Sequence, residues 1–338
     1  MTNEELKRTL AESSRVFVLT DANVAALWLP ELKHWLSCED ASEIIIKPGE
    51  EQKTLHTAQQ IWTKLLRKGA DRHSILVNLG GGTVTDMGGF VASCYQRGIR
   101  FVNVPTTLLA MVDASIGGKN GIDFGGFKNQ IGTFAEPLET LVMPVFLSTL
   151  PDRELLSGLA EMIKYGYIAD PSMLKIDQNN YEQYLLRAGG IKREIVGQDF
   201  TEQGSRKLLN FGHTLGHAFE SHSFTKGNPL THGEAVAIGM WCALWLSVKQ
   251  CGLPETVLVE YLPKLRMLLS LASPIFDYED VQNLMSYLVH DKKSRAGETH
   301  WVLLPAVGKP IYDCTVPSDL VQQCVVECIA QMREIVRR

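Results

Sequence analysis

The sequence predicts an α/β N-terminal domain built on a parallel sheet, followed by a mainly α-helical C-terminal domain. Three observations predict this arrangement. Short β-branched runs alternate with helical apolar spacing over the first 150 residues, which is typical of a parallel sheet with helices on its faces. Helical patterns dominate after Pro151, and no linker or repeat interrupts the chain. We therefore expect domains at residues 1–150 and 151–338.

Four strands are predicted in the first half of the chain. They are Arg15–Thr20, Glu43–Lys47, Ser74–Leu79 and Arg100–Val104. Between the second and third strands, apolar residues from Leu55 to Leu66 recur at helical spacing, and Gly69 stands where a helix would end. Strand, helix and strand in this order predict parallel pairing.

The second half of the chain predicts helices almost throughout. The predicted helices are Arg153–Ile168, Ser205–His222, Gly233–Gln250, Thr256–Leu271, Glu279–His290 and Ser318–Arg338. One short strand is predicted, at Trp301–Leu304.

Composition excludes several classes of protein. The chain has 338 residues, 45% of them apolar, with 33 Lys and Arg against 38 Asp and Glu, so a generally basic nucleic-acid binder is excluded. Seven cysteines without a Cys-x-x-Cys pair indicate a reducing compartment. The N-terminus is acidic, unlike a secretory signal, and the longest apolar stretch is shorter than the ~20 residues that a membrane span needs. We expect a cytoplasmic protein.

Two glycine-rich stretches are candidates for anion binding. Gly80–Asp86 follows a predicted strand and precedes a helical pattern, so its backbone N–H groups could approach a phosphate; a tight turn without a ligand is the alternative. The second stretch, Asp113–Gly121, fails the P-loop pattern, because Asp113 replaces its first glycine and Asn120 replaces its Ser or Thr. Lys119 and Lys128 are expected on long glycine-rich loops, as anion-binding or surface cations.

Histidines and a glutamate suggest a metal site in the second half. His213 and His217 are four residues apart on one predicted helical face, and His232 precedes another helix. Glu161 and Lys164 are three residues apart on the Arg153–Ile168 helix. Imidazoles with a carboxylate suit Zn²⁺ or a similar ion. Spacing alone favours His213 and His217 as a ligand pair, with helix packing as the alternative, and a zinc protease is disfavoured because Thr214 replaces the glutamate of H-E-x-x-H.

Four stretches together resemble the 3-dehydroquinate synthase family. They are Pro105–Lys119, Gly158–Gly166, Leu209–Ala218 and His232–Ala235. The likeness runs in order over nearly the whole chain. It implies a Rossmann-like N-terminal domain and a helical, metal-binding C-terminal domain. It also implies an NAD- and zinc-dependent lyase of the shikimate pathway, with cobalt as a possible alternative metal.

The reaction implied by the resemblance converts 3-deoxy-D-arabino-heptulosonate 7-phosphate to 3-dehydroquinate and phosphate. A ring hydroxyl is oxidised, phosphate is eliminated, the hydride returns, and ring opening and aldol closure follow. Oxidation acidifies the neighbouring C–H, and a Lewis-acid metal stabilises the developing negative charge.

The resemblance also implies roles for individual residues. The metal ligands would be Glu161, His213 and His232, which moves His217 from the ligand set to the substrate near its phosphate. Lys192 and Arg206 would hold the substrate carboxylate. Arg97 would reach the neighbouring subunit's phosphate site, which implies a homodimer. The remaining catalytic or substrate-binding positions are Asp113, Lys119, Asn129, Lys164, Asn210 and one of Lys292 and Lys293.

The NAD site implied by the resemblance lies in the first domain. Its residues are Gly49, Glu50, Glu51, Gln52, Lys53, Gly82, Thr83, Val84, Thr85, Asp86, Thr106, Thr107, Lys119, Lys128, Phe146, Leu147, Ser148 and Thr149. Glu50 or Glu51 suits a ribose hydroxyl, and Asp86 the nicotinamide side.

Three other functions fit parts of this pattern. Sister sugar-phosphate cyclases, such as the 2-deoxy-scyllo-inosose and 2-epi-5-epi-valiolone synthases, act on substrates without a carboxylate. A metal-dependent alcohol dehydrogenase would accumulate NADH. A non-catalytic ligand-binding protein would bind zinc without releasing phosphate.

Overall fold

The computed structural model describes residues 1–125, 127–272, 276–290 and 299–337. The chain divides into two units, Met1–Leu150 and Pro151–Arg338. Lys292 and Lys293, for which the resemblance implies a substrate contact, lie outside the described residues.

The first unit alternates strands and helices. Its strands are β1 (Val16–Asp21), β2 (Ser42–Ile46), β3 (Ile75–Gly80), β4 (Arg100–Pro105), β5 (Lys119–Phe124) and β6 (Phe127–Phe134). Its helices are α1 (Asn3–Ala11), α2 (Ala22–Trp35), α3 (Leu55–Arg67) and α4 (Gly82–Cys94). Shorter turns are the 3₁₀ segments Glu50–Gln52, Tyr95–Arg97 and Pro144–Thr149 and the π-helical segment Ala110–Ala114.

A parallel sheet forms the centre of the first unit. Its strands lie in the order β2-β1-β3-β4, with Val18 opposite Val77 and Val77 opposite Val102. Every residue of β3 is buried, as expected for a parallel strand covered on both faces. The α/β class and the parallel sheet predicted from the sequence are confirmed.

Glycines allow α4 to pack closely on the strands around it. A Cβ at Gly88 would lie 2.0 Å from Asn78 Oδ1 of β3, and one at Gly89 would lie 1.9 Å from Asn120 Oδ1 of β5. Real Cβ atoms essentially never approach another atom within 3.0 Å. This close packing fixes the start of α4 directly beyond the carboxyl end of β3.

The prediction that Lys119 and Lys128 lie on long glycine-rich loops is wrong. Lys119 begins β5, and Lys128 and Asn129 lie on β6, which pairs antiparallel with β5. The sequence pattern used to predict strands did not identify this hairpin, because β6 is largely exposed and carries few β-branched residues.

The second unit is mainly helical, as predicted. Its helices are α5 (Asp152–Ile168), α6 (Leu185–Gln198), α7 (His213–Thr225), α8 (His232–Cys251), α9 (Glu255–Leu268), α10 (Val281–His290) and α11 (Ser318–Arg337). Its 3₁₀ segments are Pro171–Lys175, Tyr181–Tyr184, Ser205–Asn210 and Tyr278–Asp280, and β7 (Trp301–Ala306) pairs antiparallel with β8 (Lys309–Cys314).

Helix α8 is the core of this unit, and it is buried from Gly233 to Ser247. Small residues let its neighbours approach. A Cβ at Gly233 would lie 2.2 Å from Ser157 O of α5, and one at Gly239 would lie 1.8 Å from Gly212 O at the start of α7. These contacts bring α5 and α7 against the first turns of α8.

One predicted helix of the second unit is wrong in detail, and one strand was not predicted. The predicted helix Ser205–His222 is broken at Gly212, whose φ of +80° is accessible to glycine but not to most residues, so a 3₁₀ segment precedes α7. The single predicted strand has a partner, β8, which begins after Gly308 at φ +76°. No helix among the described residues is long and apolar enough to cross a membrane.

Candidate active site

A cluster of one carboxylate and two imidazoles lies where α5, α7 and α8 meet. Glu161 Oε1 is 3.3 Å from His232 Nε2 and 3.5 Å from His213 Nε2. One donor atom from each of these three residues lies within 4.8 Å of the others. Glu161 is completely buried in the middle of α5, whereas the two histidines stand at the first positions of α7 and α8.

The hydrogen bonding of His213 selects one tautomer of its ring. Nδ1 lies 3.1 Å from the carbonyl oxygen of Phe211. A carbonyl only accepts hydrogen bonds, so Nδ1 carries the proton and Nε2 of the neutral ring presents its lone pair. That lone pair faces a carboxylate oxygen of Glu161. In this neutral form, the two facing acceptor atoms can bind a cation placed between them.

The charge balance of the cluster fits a divalent cation. The Glu161 carboxylate forms an ion pair with Lys164, and its Oε1 also lies within 3.5 Å of the Nε2 atoms of His213 and His232. A buried carboxylate is unfavourable unless positive charge compensates it. Burial lowers the pKa of His232, but its contacts with the Glu161 and Glu220 carboxylates raise it to about 10. The His232 ring therefore holds a proton at the place where a metal cation would fit. Two imidazoles and one carboxylate are a donor set typical of catalytic zinc sites.

His217 also lies beside this cluster. Its ring centroid is 5.3 Å from that of His213 and 6.1 Å from that of His232. His217, Glu220 and His232 form a second group of donor atoms within 4.8 Å of one another. The ligand pair favoured by spacing and the set implied by the resemblance are therefore both close in space. The sequence pattern grouped Glu161 and His232 with the two histidines of α7, and only the resemblance selected Glu161, His213 and His232 as the ligand set.

Buried cations in the second unit lie on α6 and on the 3₁₀ segment before α7. Lys192 is 7% exposed and Arg206 is 1% exposed. Arg206 donates from its guanidinium to Phe200 O, and its backbone N–H donates to Asp199 Oδ2 at 3.0 Å. Asn210 donates to Glu202 Oε1 at 2.9 Å. Cations of this kind are suited to an anionic ligand, because a guanidinium or an ammonium group can donate charge-assisted hydrogen bonds to it.

The first unit has its own polar cluster around Lys53. Lys53 Nζ lies 2.7 Å from Asp86 Oδ2 and 3.7 Å from Glu50 Oε1. Thr83 donates to Glu50 from its hydroxyl. Burial lowers the pKa of Lys53, but the Asp86 and Glu50 carboxylates raise it above its ordinary value, so this lysine is a permanent cation.

The glycine-rich turn after β3 opens directly into α4. The helix begins at Gly82, and its N-cap residue Gly81 makes no side-chain cap. A Cβ at Gly81 would lie 2.9 Å from Thr107 Cγ2, which explains the glycine. The N-terminal N–H groups of such a helix favour anions. The Thr85 side chain is turned away from this anion-binding position, because its hydroxyl donates to Gly81 O and Gly82 O.

The other residues implied for NAD are spread over the first unit. Phe146 packs edge-on against Trp28 at 5.2 Å, and Thr149 accepts a hydrogen bond of 2.8 Å from the same indole. Asp113 is half-buried in the π-helical segment, and Lys119 and Lys128 are exposed on the hairpin. Gly49 precedes Glu50 at a φ of +111°. The remaining members of the set are half-buried or exposed at Glu51, Gln52, Thr107 and Ser148 and buried at Val84, Thr106 and Leu147.

Two family models match consecutive parts of the chain. The 3-dehydroquinate synthase N-terminal model matches residues 43–157, and the 3-dehydroquinate synthase C-terminal model matches residues 158–294. The chain belongs to the 3-dehydroquinate synthase family. A 3-dehydroquinate synthase from Parabacteroides distasonis is 40% identical in an alignment of 336 positions that covers 95% of this chain and 92% of that protein. The family resemblance of the four sequence motifs is thus confirmed.

Solved structures of sister cyclases share the fold of this 3-dehydroquinate synthase family member. A 2-deoxy-scyllo-inosose synthase complexed with carbaglucose-6-phosphate, NAD⁺ and Co²⁺ is 25% identical, with a TM-score of 0.82 over 96% of this chain and 94% of that one. A 2-epi-5-epi-valiolone synthase from Streptomyces hygroscopicus with NAD⁺ and Zn²⁺ bound is 27% identical, with a TM-score of 0.82 over 96% and 95% of the two chains.

Sequence reasoning missed two buried carboxylates, one on α7 and one on α8. Glu220 is seven residues after His213, so the same helical spacing that identified His217 places it on the same face of α7. Glu234 is 1% exposed, caps the start of α8, and accepts two hydrogen bonds of 2.7 Å from Arg153. The capping-box pattern Thr231-x-x-Glu234 was the available signal for it.

Proposed function

We propose that this chain is a 3-dehydroquinate synthase that converts 3-deoxy-D-arabino-heptulosonate 7-phosphate to 3-dehydroquinate and phosphate. The observation that carries the proposal is the cluster of Glu161, His213 and His232, whose donor atoms lie within 4.8 Å of one another and could hold a metal ion. The relatives with the same name, and the match of both halves of the chain, support the same activity.

The metal ligands are Glu161, His213 and His232, and Zn²⁺ is the ion that suits this donor set best. Co²⁺ is the alternative, since the same donors accept it. When bound, a divalent ion polarises the substrate hydroxyl and stabilises negative charge on its oxygen. Lys164 contacts Glu161 and supplies a further positive charge at this place.

NAD is proposed to bind the first unit. Its pyrophosphate would lie at the N-terminus of α4, where Gly82 and Thr83 present their backbone N–H groups. Glu50 is the better candidate for a ribose hydroxyl, because Lys53 and Thr83 hold its carboxylate in place, whereas Glu51 is exposed. NAD supplies reversible oxidation of the substrate alcohol, so it is not consumed.

Lys192 and Arg206 are proposed to bind the substrate carboxylate. Both are buried cations, and a guanidinium can engage a carboxylate through two parallel hydrogen bonds. Asn210 and His217 would contact the rest of the substrate, with His217 near the phosphate. Replacing Arg206 by alanine should lower kcat/KM far more than metal content, and an unchanged kcat/KM would contradict the carboxylate assignment.

The partner subunit of a homodimer is proposed to contact Arg97. This arginine is exposed and its φ is +69°, so the backbone is held in an uncommon conformation at the surface of the first unit. Sedimentation of the wild type and of Arg97→Ala, together with phosphate release, would test whether the side chain acts across a dimer.

A second candidate function is cyclisation of a sugar phosphate without a carboxylate. It is favoured by the similarity to the 2-deoxy-scyllo-inosose and 2-epi-5-epi-valiolone synthases. The buried pair Lys192 and Arg206 favours the carboxylated substrate instead.

Phosphate release is the measurement that tests the proposal. The chain is incubated with 3-deoxy-D-arabino-heptulosonate 7-phosphate and NAD, before and after chelation and after Zn²⁺ or Co²⁺ is restored. We expect metal-dependent phosphate release without net NADH accumulation. Net NADH would indicate a dehydrogenase. No release from folded, metal-loaded protein would favour a sister cyclase, and carboxylate-free sugar phosphates would then be tested.

A further inference from the structure

Glu220 is a buried carboxylate that the proposed reaction does not use. It lies on α7, one turn after His217 and two turns after His213, and only 3% of the residue is exposed. A buried carboxylate must be compensated by nearby cations or hydrogen-bond donors. It lies on the histidine-bearing face of α7, beside His232.

The ring of His232 lies between two carboxylates. Its Nε2 is 3.3 Å from Glu161 Oε1, and its Nδ1 is 3.8 Å from Glu220 Oε2. A ligand histidine must be neutral and binds through one nitrogen only. With Nε2 directed to the side of Glu161 and His213, the proton of the neutral ring is on Nδ1, which faces Glu220.

We propose that Glu220 is a positioning residue that holds the His232 ring in the tautomer and orientation that bind the metal through Nε2. The inference rests on the metal site of the proposed function. A carboxylate facing the second nitrogen of a ligand imidazole raises the basicity of the ligand and fixes its orientation. The Phe211 carbonyl has the same role for His213, so the Nδ1 atom of each proposed ligand histidine faces one oxygen atom.

The alternative role for Glu220 is that of a direct ligand. His217, Glu220 and His232 also form a group that could hold an ion. That group uses Nδ1 of His232, whereas the group with Glu161 uses Nε2. The two roles therefore make opposite predictions for which variants eliminate metal binding.

Co²⁺ binding to the full chain tests the proposal. Metal-free wild type, Glu220→Gln and His213→Ala are titrated with Co²⁺ in competition with a chelator, and the visible spectrum of the bound ion is recorded. We expect Glu220→Gln to bind Co²⁺ about 10–100-fold more weakly with a shifted spectrum. We expect His213→Ala to lose the site. A dissociation constant and spectrum equal to those of wild type in folded Glu220→Gln would overturn the proposal.

Asp280→Asn is the matched control for loss of a buried carboxylate. Asp280 is 4% exposed and accepts a hydrogen bond of 2.8 Å from His222, which is also on α7 but outside the cluster. We expect this variant to lose stability and to keep its Co²⁺ affinity and spectrum. An equal loss of affinity in Asp280→Asn would show a general packing effect and would overturn the positioning role.

Glu220→Asp separates charge from reach. Aspartate keeps the charge but is one methylene shorter, so we expect an affinity between those of wild type and Glu220→Gln. Complete loss of the site in Glu220→Gln, with His213→Ala still binding, would make Glu220 a ligand and overturn the proposal. Tight Co²⁺ binding without phosphate release would refute the proposed activity alone, whereas wild type that binds no Co²⁺ would refute both.

Discussion

Replacing Gly239 by alanine tests whether the close approach of α7 and α8 assembles the metal cluster. A Cβ at this position would lie 1.8 Å from Gly212 O and 2.7 Å from Gly216 N. The closest approach of real Cβ atoms is 3.0 Å, so the two helices must separate by about 1.2 Å to accept the methyl group. Overpacking of a core typically costs about 1–3 kcal/mol, and a backbone contact cannot be relieved by a rotamer change.

The same displacement reaches the proposed metal site. His213 follows Gly212 directly, and a metal site tolerates deviations of only about 0.2 Å in its ligand distances. We expect Gly239→Ala to unfold at lower urea concentration and to bind Co²⁺ at least about tenfold more weakly, although no ligand has changed.

Gly190→Ala is the control for this experiment. Gly190 lies on α6, and a Cβ there would meet nothing within 4 Å, so alanine should stabilise the helix by up to about 1 kcal/mol. The reasoning is refuted if Gly239→Ala matches wild type in both urea midpoint and Co²⁺ affinity.

Three further predictions follow from the site and its surroundings. Glu161→Gln should lower Co²⁺ affinity by more than the 10–100-fold typical of a supporting residue, while Glu154→Gln, seven residues earlier on α5, should bind normally; equal affinities would remove Glu161 from the ligand set. Glu50→Gln should weaken NAD binding about tenfold or more in a calorimetric titration, since a hydrogen bond to a charged group is worth about 1.5–3 kcal/mol, and Glu51→Gln should not; the reverse result would exchange their roles. Burial raises the pKa of Asp280, but hydrogen bonds to its carboxylate, led by that from Lys226, hold the net pKa below its ordinary value, so its contribution to stability is complete above the unfolded pKa and is lost as the pH falls through the lower folded pKa. Unfolding at a series of acidic pH values should therefore show a smaller loss for Asp280→Asn than for wild type, and parallel curves would contradict this pKa.

The sheet of the first unit could be predicted because three of its four strands, β1, β3 and β4, are buried on both faces. Val16–Asp21 and Ile75–Gly80 are near-continuous apolar runs, and runs of this kind are typical of parallel strands. The hairpin β5–β6 could not be recognised in this way. Its strands carry glycine, lysine and asparagine, and they pair through the backbone without a buried alternating face.

The cluster could be predicted only in part, because its members come from three helices. Spacing along α7 places His213 and His217 on one face, but no local pattern states that Glu161 and His232 will face them. That depends on glycine contacts between α5, α7 and α8, which are tertiary. The four ordered motifs supplied the missing partners through resemblance, and Glu220 remained unnoticed although it shares the helical face.

The short segment from Phe211 to His213 orients the side chain of a proposed metal ligand before any ion binds. The left-handed turn at Gly212 points the Phe211 carbonyl at His213 Nδ1, so the ring is already oriented. Immobilising such a side chain on binding would otherwise cost about 0.5–1.5 kcal/mol. Metal binding would therefore cost less side-chain conformational entropy at His213 than at a freely rotating histidine. The affinity for the ion therefore depends partly on the conformation of three backbone residues, and not only on the identity of the ligand residues.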